Sequence, residues 1–233
     1  MSKVMNIDRN KLCDLLNSSL NYVVDEKDED LSIPFYNSIE KNENNFVAFK
    51  NELDCIRYIL KEDLNFFMDS DPAAHSIEEI RIAYPGFKAI AIYRVSHVLY
   101  KLGYKVHARF FSEIGHSMTG IDIHPAANID YPFFIDHGTG IVVGQTSSIG
   151  KNVKIYQCVT LGALSLSNAQ ELRGVIRHPQ IGNNVTIYAG ASLLGAITIG
   201  DNVTIGSNVF LTESVPNNTR VVIGKPELII KSK

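Results

Sequence analysis

Three short stretches of this 233-residue chain carry side chains able to move a proton or hold a charged ligand. They are Asp122 with His124, Asp136 with His137, and Arg177 with His178. A histidine beside a carboxylate is the minimum for activating a hydroxyl: imidazole takes the proton, and the carboxylate fixes the tautomer and stabilises imidazolium. Such a base contributes about 10²–10⁴ in rate. No Gly-x-Ser-x-Gly elbow offers a serine nucleophile. The three cysteines, Cys13, Cys55 and Cys158, lack metal or disulfide spacing and read as reduced thiols, with Cys158 buried in a strand. His124, His137 and His178 form no short ligand pair, so no metal is expected. Asp71, followed by Pro72, reads as the cap of a starting helix.

The elements that position these residues come from a repeat. Ile181, Ile187, Leu193, Ile199, Ile205 and Leu211 are aliphatics at a spacing of six, and Val143, Ile149, Ile155 and Leu161 keep it earlier. Ile123, Ile129 and Ile135 keep it earlier still. Four residues after the aliphatic comes a small or apolar side chain, such as Val185, Ala191 or Val203. Period six is neither helical nor simple strand alternation. It predicts a solenoid of short strands and tight turns, with three hexapeptides closing a triangular coil of about 18 residues. The turns fall to Gly and Asn, as in Ile181-Gly-Asn-Asn184, because both tolerate positive φ.

The period fails twice. Eight residues separate Ile135 from Val143, so two extra disturb Asp136–Ile141. Twenty separate Leu161 from Ile181, two more than a full coil, with an extruded loop over 163–176. Each break carries a histidine, and Asp122 and His124 precede the first by roughly one coil and are expected to stack near it. Loops on solenoid faces commonly build binding sites.

The front half is built differently. Only 4 of 16 glycines lie in residues 1–120, which hold 18 acids and 14 bases. Helices are expected over 10–22, 45–68, 86–102 and 105–117, with Ser76-Ile-Glu-Glu79 in capping-box form and a solvated charge run at 25–30. A net charge of −3 argues against a nucleic-acid binder and offers no polybasic membrane patch. No long apolar stretch suggests a signal peptide or a membrane span, so a cytoplasmic protein is expected. The expected fold is α+β: a helical domain at 1–118, then a parallel β-helix at 119–233 with a loop at 163–178.

Asp71-Pro-Ala73, Ile121-Asp-Ile-His-Pro-Ala-Ala127, Ile135-Asp-His-Gly-Thr-Gly-Ile-Val-Val-Gly144, Val159-Thr-Leu-Gly162 and Arg177-His-Pro179, followed by hexapeptides, resemble serine O-acetyltransferase. Hexapeptides alone would indicate only the large hexapeptide-repeat acyltransferase superfamily, whose β-helix is left-handed. The resemblance implies transfer of acetyl from acetyl-CoA to the hydroxyl of L-serine, giving O-acetyl-L-serine for cysteine biosynthesis. It implies no prosthetic cofactor, acetyl-CoA being a cosubstrate. By that likeness His137 is the general base and Asp122 its partner. Asp71 and Asp136 lie near the serine ammonium, and Arg177 and His178 near its carboxylate, an arrangement that suits a zwitterion. Acetyl-CoA would run along the solenoid between subunits past Ala163, Ala189 and Ser207, with Lys225 towards its phosphates. A trimer, or a pair of trimers joined through the front helices, is implied. The chain ends in Lys233 without an isoleucine-ended tail, which speaks against a complex with O-acetylserine sulfhydrylase. The alternatives are a sugar or xenobiotic acceptor, against which Asp71, Arg177 and His178 argue, and a non-catalytic solenoid, against which His137 and Asp122 argue.

Overall fold

The computed structural model describes residues 8–27, 30–165 and 170–224. Its front half holds α1 (Arg9–Val24), α2 (Ser32–Ser38), α3 (Glu43–Ser70), α4 (Ile77–Ala83), α5 (Pro85–Lys101) and α6 (Lys105–Thr119). The helix α2 was not expected; at seven residues it is too short to show a period, and burial of Phe35 holds it. Ser76 caps α4 as its sequence suggests: its Oγ accepts from the Glu79 N–H, and the Glu79 carboxylate accepts from the His75 N–H.

The reading of Asp71 as the start of a helix is corrected. Pro72 disfavours helical geometry at the residue before it, and Asp71 sits extended (φ −113°, ψ 109°) as the C-cap of α3. Its Oδ1 accepts from the Ala73 N–H at 2.8 Å, an Asx turn that leads the chain away from the helix.

Among the described residues fourteen short strands follow, all pairing in parallel in three sheets. Sheet I stacks β1 (Asp122–Ile123), β4 (Val142–Val143), β7 (Thr160–Gly162), β10 (Ser192–Leu194) and β13 (Phe210–Leu211). Sheet II stacks β2 (Asn128–Ile129), β5 (Ser148–Ile149), β8 (Gln180–Ile181) and β11 (Thr198–Ile199). Sheet III stacks β3 (Phe133–Ile135), β6 (Val153–Ile155), β9 (Thr186–Ile187), β12 (Thr204–Ile205) and β14 (Arg220–Val221). The period-six aliphatics line the inside and are buried from Ile123 to Ile205. At the corner between sheets II and III, Asn152, Asn184, Asn202 and Asn218 all take φ near 57°, and each amide donates to the next at 2.9–3.1 Å. That ladder satisfies side chains which the left-handed turn requires.

Strand register sizes the two breaks. Asp122 pairs with Val142, twenty residues on, which places two extra residues at 136–141 as the spacing suggests. The second break is larger than read. Ile149 pairs with Ile181, thirty-two residues on instead of eighteen. Leu161 lies on sheet I and Ile181 on the next sheet, so the insertion is fourteen residues rather than two.

The halves are joined by a buried ion pair. Arg94 of α5 donates to both Asp63 oxygens of α3 (2.7 and 2.9 Å), and Asp63 Oδ1 also accepts the Phe133 N–H at 2.9 Å. Arg94 further donates to the carbonyls of Ile129 and Asp130. Every charge there has partners, as burial demands.

Candidate active site

The reactive residues gather at two different corners of the prism. The first corner joins sheet III to sheet I and carries Asp136 and His137, then Tyr156 and Cys158, then Tyr188 and Ala189, then Ser207 one coil further on. The two-residue insertion gives it an irregular backbone: His137 is left-handed at φ 56°, followed by Gly138 (φ 89°) and Gly140 (φ 77°). For a residue other than glycine this conformation costs about 1–2 kcal/mol, strain of the kind that functional sites retain. It leaves the His137 ring 70% exposed, with Nδ1 3.8 Å from Asp136 Oδ1. Gly138 is required, since a Cβ would stand 2.4 Å from Ile121 Cδ1.

Asp71 reaches the same corner from α3. Its Oδ2 accepts a 2.8 Å hydrogen bond from Tyr84 Oη, and Asp71, Asp136 and Tyr84 interact electrostatically. Asp71 and Asp136 thus both act on Tyr84, and Asp136 lies beside His137, where helices and solenoid join. Asp122 lies on β1 of sheet I; among the described residues the carboxylate within ion-pair distance of His137 is Asp136. Cys158 corrects its reading as a buried strand residue. It follows β6 in a turn at φ 59° and is exposed, because the position after the strand falls on the corner.

The second corner joins sheet I to sheet II and carries His124, then Gln145 and Thr146, then Arg177 and His178. His124 therefore stacks here and not near the first break. Thr146 organises this corner: its Oγ1 accepts the N–H groups of Arg177 (2.9 Å) and His178 (3.2 Å). The Thr146 N–H in turn donates to His178 Nδ1 at 3.1 Å, with Oγ1 at 2.8 Å from the same nitrogen. An accepting Nδ1 leaves the proton on Nε2. Burial, then Arg177, pushes His178 down to about 4. His124 is pushed down to about 4 by burial, then by Arg109, His178 and Arg177, and its Nδ1 accepts the Ala126 N–H. Both rings are neutral N–H donors at neutral pH. Gly144 makes the room, since a Cβ there would stand 2.0 Å from His178 Cδ2. The Arg177 guanidinium donates to Gln145 Oε1 and to the Leu172 carbonyl.

Ala189 and Ser207 lie one coil apart at the first corner, while Ala163 opens the long loop at the second. Lys225 lies outside the described residues. Thr146, Gln145 and Tyr84 were not foreseen; Thr146 lies thirty-two residues before His178, one coil plus the insertion, a step that only the register of Ile149 with Ile181 discloses. Among the described residues no helix is long and apolar enough to cross a membrane.

One corner is acidic with an exposed imidazole, the other basic with two neutral imidazoles, and sheet I lies between them. The family described as bacterial transferase hexapeptide (six repeats) matches residues 178–213 of this prism. A plasmid serine acetyltransferase of Synechococcus elongatus is 52% identical over 172 residues, covering 72% of this chain and 54% of that protein, so the match spans about half its length. The serine acetyltransferase of Staphylococcus xylosus is 45% identical over 74% of this chain and 76% of its own. That of Bacillus subtilis is 42% identical over the same shares. Among solved structures, serine acetyltransferase isoform 3 of Entamoeba histolytica in complex with cysteine aligns with a TM-score of 0.76 at 37% identity. It covers 95% of this chain and 72% of that one. The Neisseria gonorrhoeae serine acetyltransferase in complex with serine aligns with a TM-score of 0.66 at 27% identity, covering 97% and 100%. This chain belongs to the serine acetyltransferase family, and its solenoid is the left-handed parallel β-helix of those structures.

Proposed function

We propose that the chain transfers acetyl from acetyl-CoA to the hydroxyl of L-serine, giving O-acetyl-L-serine for cysteine biosynthesis. The observation that carries this is the opposition of charge between the two corners. An amino-acid zwitterion needs carboxylates at one end and donors at the other, and a neutral sugar needs neither. Asp71 and Asp136 take the ammonium; the Arg177 guanidinium and the His178 N–H take the carboxylate. The relatives agree in chemistry, since the Neisseria structure is of a complex with serine.

In this reading His137 removes the proton of the serine hydroxyl as its oxygen attacks the thioester carbon. Asp136, 3.8 Å away, and Asp122 supply the negative charge that favours imidazolium. The tetrahedral oxyanion is held by a backbone N–H. It collapses with loss of the CoA thiolate, which recovers the proton from His137. No acyl-enzyme and no prosthetic group are involved. The CoA arm passes Ala189 and Ser207, whose small side chains admit it to the backbone, and Ala163 meets it from the other side.

The acidic and basic corners lie at opposite ends of the sheet I strands, so one serine is bridged by two protomers. A trimer with head-to-tail contacts places the His137 corner of one copy against the Arg177–His178 corner of the next. The outward faces of sheet I carry exposed Val142 and Phe210, which such packing would cover. A cytoplasmic location completes the reading.

Thiol release from acetyl-CoA, measured with L-serine, homoserine and a panel of sugars, tests it. Serine should be the preferred acceptor, and His137→Ala should lose at least about a hundredfold in kcat with its assembly intact. Preference for a sugar would overturn the acceptor assignment, and near-normal turnover of the variant would remove His137 as the base.

A further inference from the structure

We propose that Tyr84 is the positioning residue for Asp71, and that the segment Tyr84-Pro85-Gly86 sets the register between Asp71 and the Asp136–His137 corner. The inference rests on the reading of Asp71 as a ligand of the serine ammonium. Both Asp71 oxygens are engaged by the protein. Oδ1 accepts the Ala73 N–H and Oδ2 accepts the Tyr84 phenol, each at 2.8 Å. A carboxylate oxygen has two lone pairs, so each remains able to accept from an ammonium. Fixing both oxygens orients a group whose terminal torsion is otherwise broad. Burial, then the bond to Asp71, pushes the Tyr84 phenol up to about 12, so it stays a donor across neutral pH.

The phenol is itself held. Its ring meets the fully buried Phe67 edge-on, with centroids 6.2 Å apart, and Phe67 packs on Phe134 at 4.7 Å. Pro85 confines Tyr84 to an extended backbone (φ −81°, ψ 116°) and opens α5 as its first residue. Gly86 follows against the solenoid: a Cβ there would stand 2.3 Å from the Ile135 carbonyl oxygen and 3.0 Å from Ile135 Cβ. Ile135 is the residue before Asp136 and His137. One tripeptide therefore touches both carboxylate-bearing segments, holding Asp71 through a hydrogen bond and abutting the strand that delivers Asp136 through a missing side chain.

Steady-state kinetics of Tyr84→Phe, Asp71→Asn and the double variant test this. Tyr84→Phe removes one oxygen from a ring anchored by packing and should raise the KM for serine about five- to tenfold, with kcat and the KM for acetyl-CoA unchanged. Asp71→Asn should raise it further, and adding Tyr84→Phe to that background should change it less than about twofold, because the phenol acts through the carboxylate. Gly86→Ala, which pushes on the Ile135 carbonyl, should lower kcat as well. Equal effects of Tyr84→Phe in both backgrounds, or a parallel rise in the KM for acetyl-CoA, would overturn the inference by showing a general structural role. A serine KM raised by Asp71→Asn but untouched by Tyr84→Phe would remove Tyr84 and leave Asp71 in place. An Asp71→Asn enzyme with normal serine KM would remove both.

Discussion

His178 and His124 show how a residue's charge is decided by its surroundings. The His178 ring is buried and the His124 ring partly so, and each Nδ1 is committed as an acceptor from a backbone N–H of the same corner. Burial disfavours the charged ring in both cases, and Arg177 beside His178 and Arg109 beside His124 oppose a further positive charge, so both are pushed down to about 4 from 6.5. The sign of the linkage follows. In the unfolded chain each ring binds a proton as the pH falls through 6.5, whereas the folded protein binds it only near 4. Over that window the unfolded state carries more protons, so stability is fully present above 6.5 and is lost as the pH drops towards 4. The Cε1–H resonances of these two rings should stay almost unmoved from about pH 7 down to about 5, while the melting temperature falls over the same range. Resonances that titrate near 6.5 would mean that neither ring is a neutral donor for the serine carboxylate.

At the scale of elements, each coil supplies the space that the next one uses. Gly144 opens the turn after β4, and the His178 ring lies where its Cβ would be, within 2.2 Å of Nε2. Gly144→Ala should therefore displace His178 without breaking the prism. The expected result is a serine KM raised at least about tenfold, with the far-ultraviolet circular dichroism spectrum retained; an unchanged KM would show that the ring has room elsewhere. This dependence explains what the sequence could reveal. Aliphatics at a strict spacing of six disclose strands of two or three residues, because one inward position per side repeats without exception from Ile123 to Ile135 and from Ile181 to Leu211. The breaks are visible for the same reason. Their sizes are less so, since a gap of twenty residues fits either a full coil with two extra or one sheet step with fourteen, and only the register of Ile149 with Ile181 decides. His124 and Cys158 lie elsewhere than expected for another reason: each comes just after a strand of only two or three residues and so falls on a corner. Contacts between separate helices and turns leave no periodic trace: Asp63 of α3 meets Arg94 of α5 thirty-one residues on, and Asp71 meets Tyr84 thirteen residues on. The two carboxylates answer to different partners, a buried guanidinium in one case and a phenol in the other.

For the whole molecule, the proposed bridging of one serine by both corners would make the number of chains part of the chemistry. Sheet I carries exposed Val142 and Phe210 on its outer face and ends in an acidic corner on one side and a basic corner on the other. Such a surface is not self-complementary across a twofold axis, but it closes into a ring when each copy offers its basic corner to the acidic corner of its neighbour. A ring of this kind has one complete site per interface, formed by His137 from one protomer and Arg177 with His178 from another. Two defective chains should then repair each other. A His137→Ala homotrimer and an Arg177→Ala homotrimer each have every site damaged, whereas a mixed ring contains interfaces at which an intact His137 faces an intact Arg177. Random mixing in equal amounts makes such interfaces about a quarter of the total, by the statistics of head-to-tail contacts. Co-expressing the two variants, isolating rings that hold both chains through a different tag on each and assaying thiol release should recover about a third of the unmodified turnover, since every mixed trimer has one intact interface in three, far above the sum of the parents. Mixed rings no more active than their parents would place base and guanidinium in the same protomer, and would require the polypeptide between the two corners of one prism to bend around a single serine.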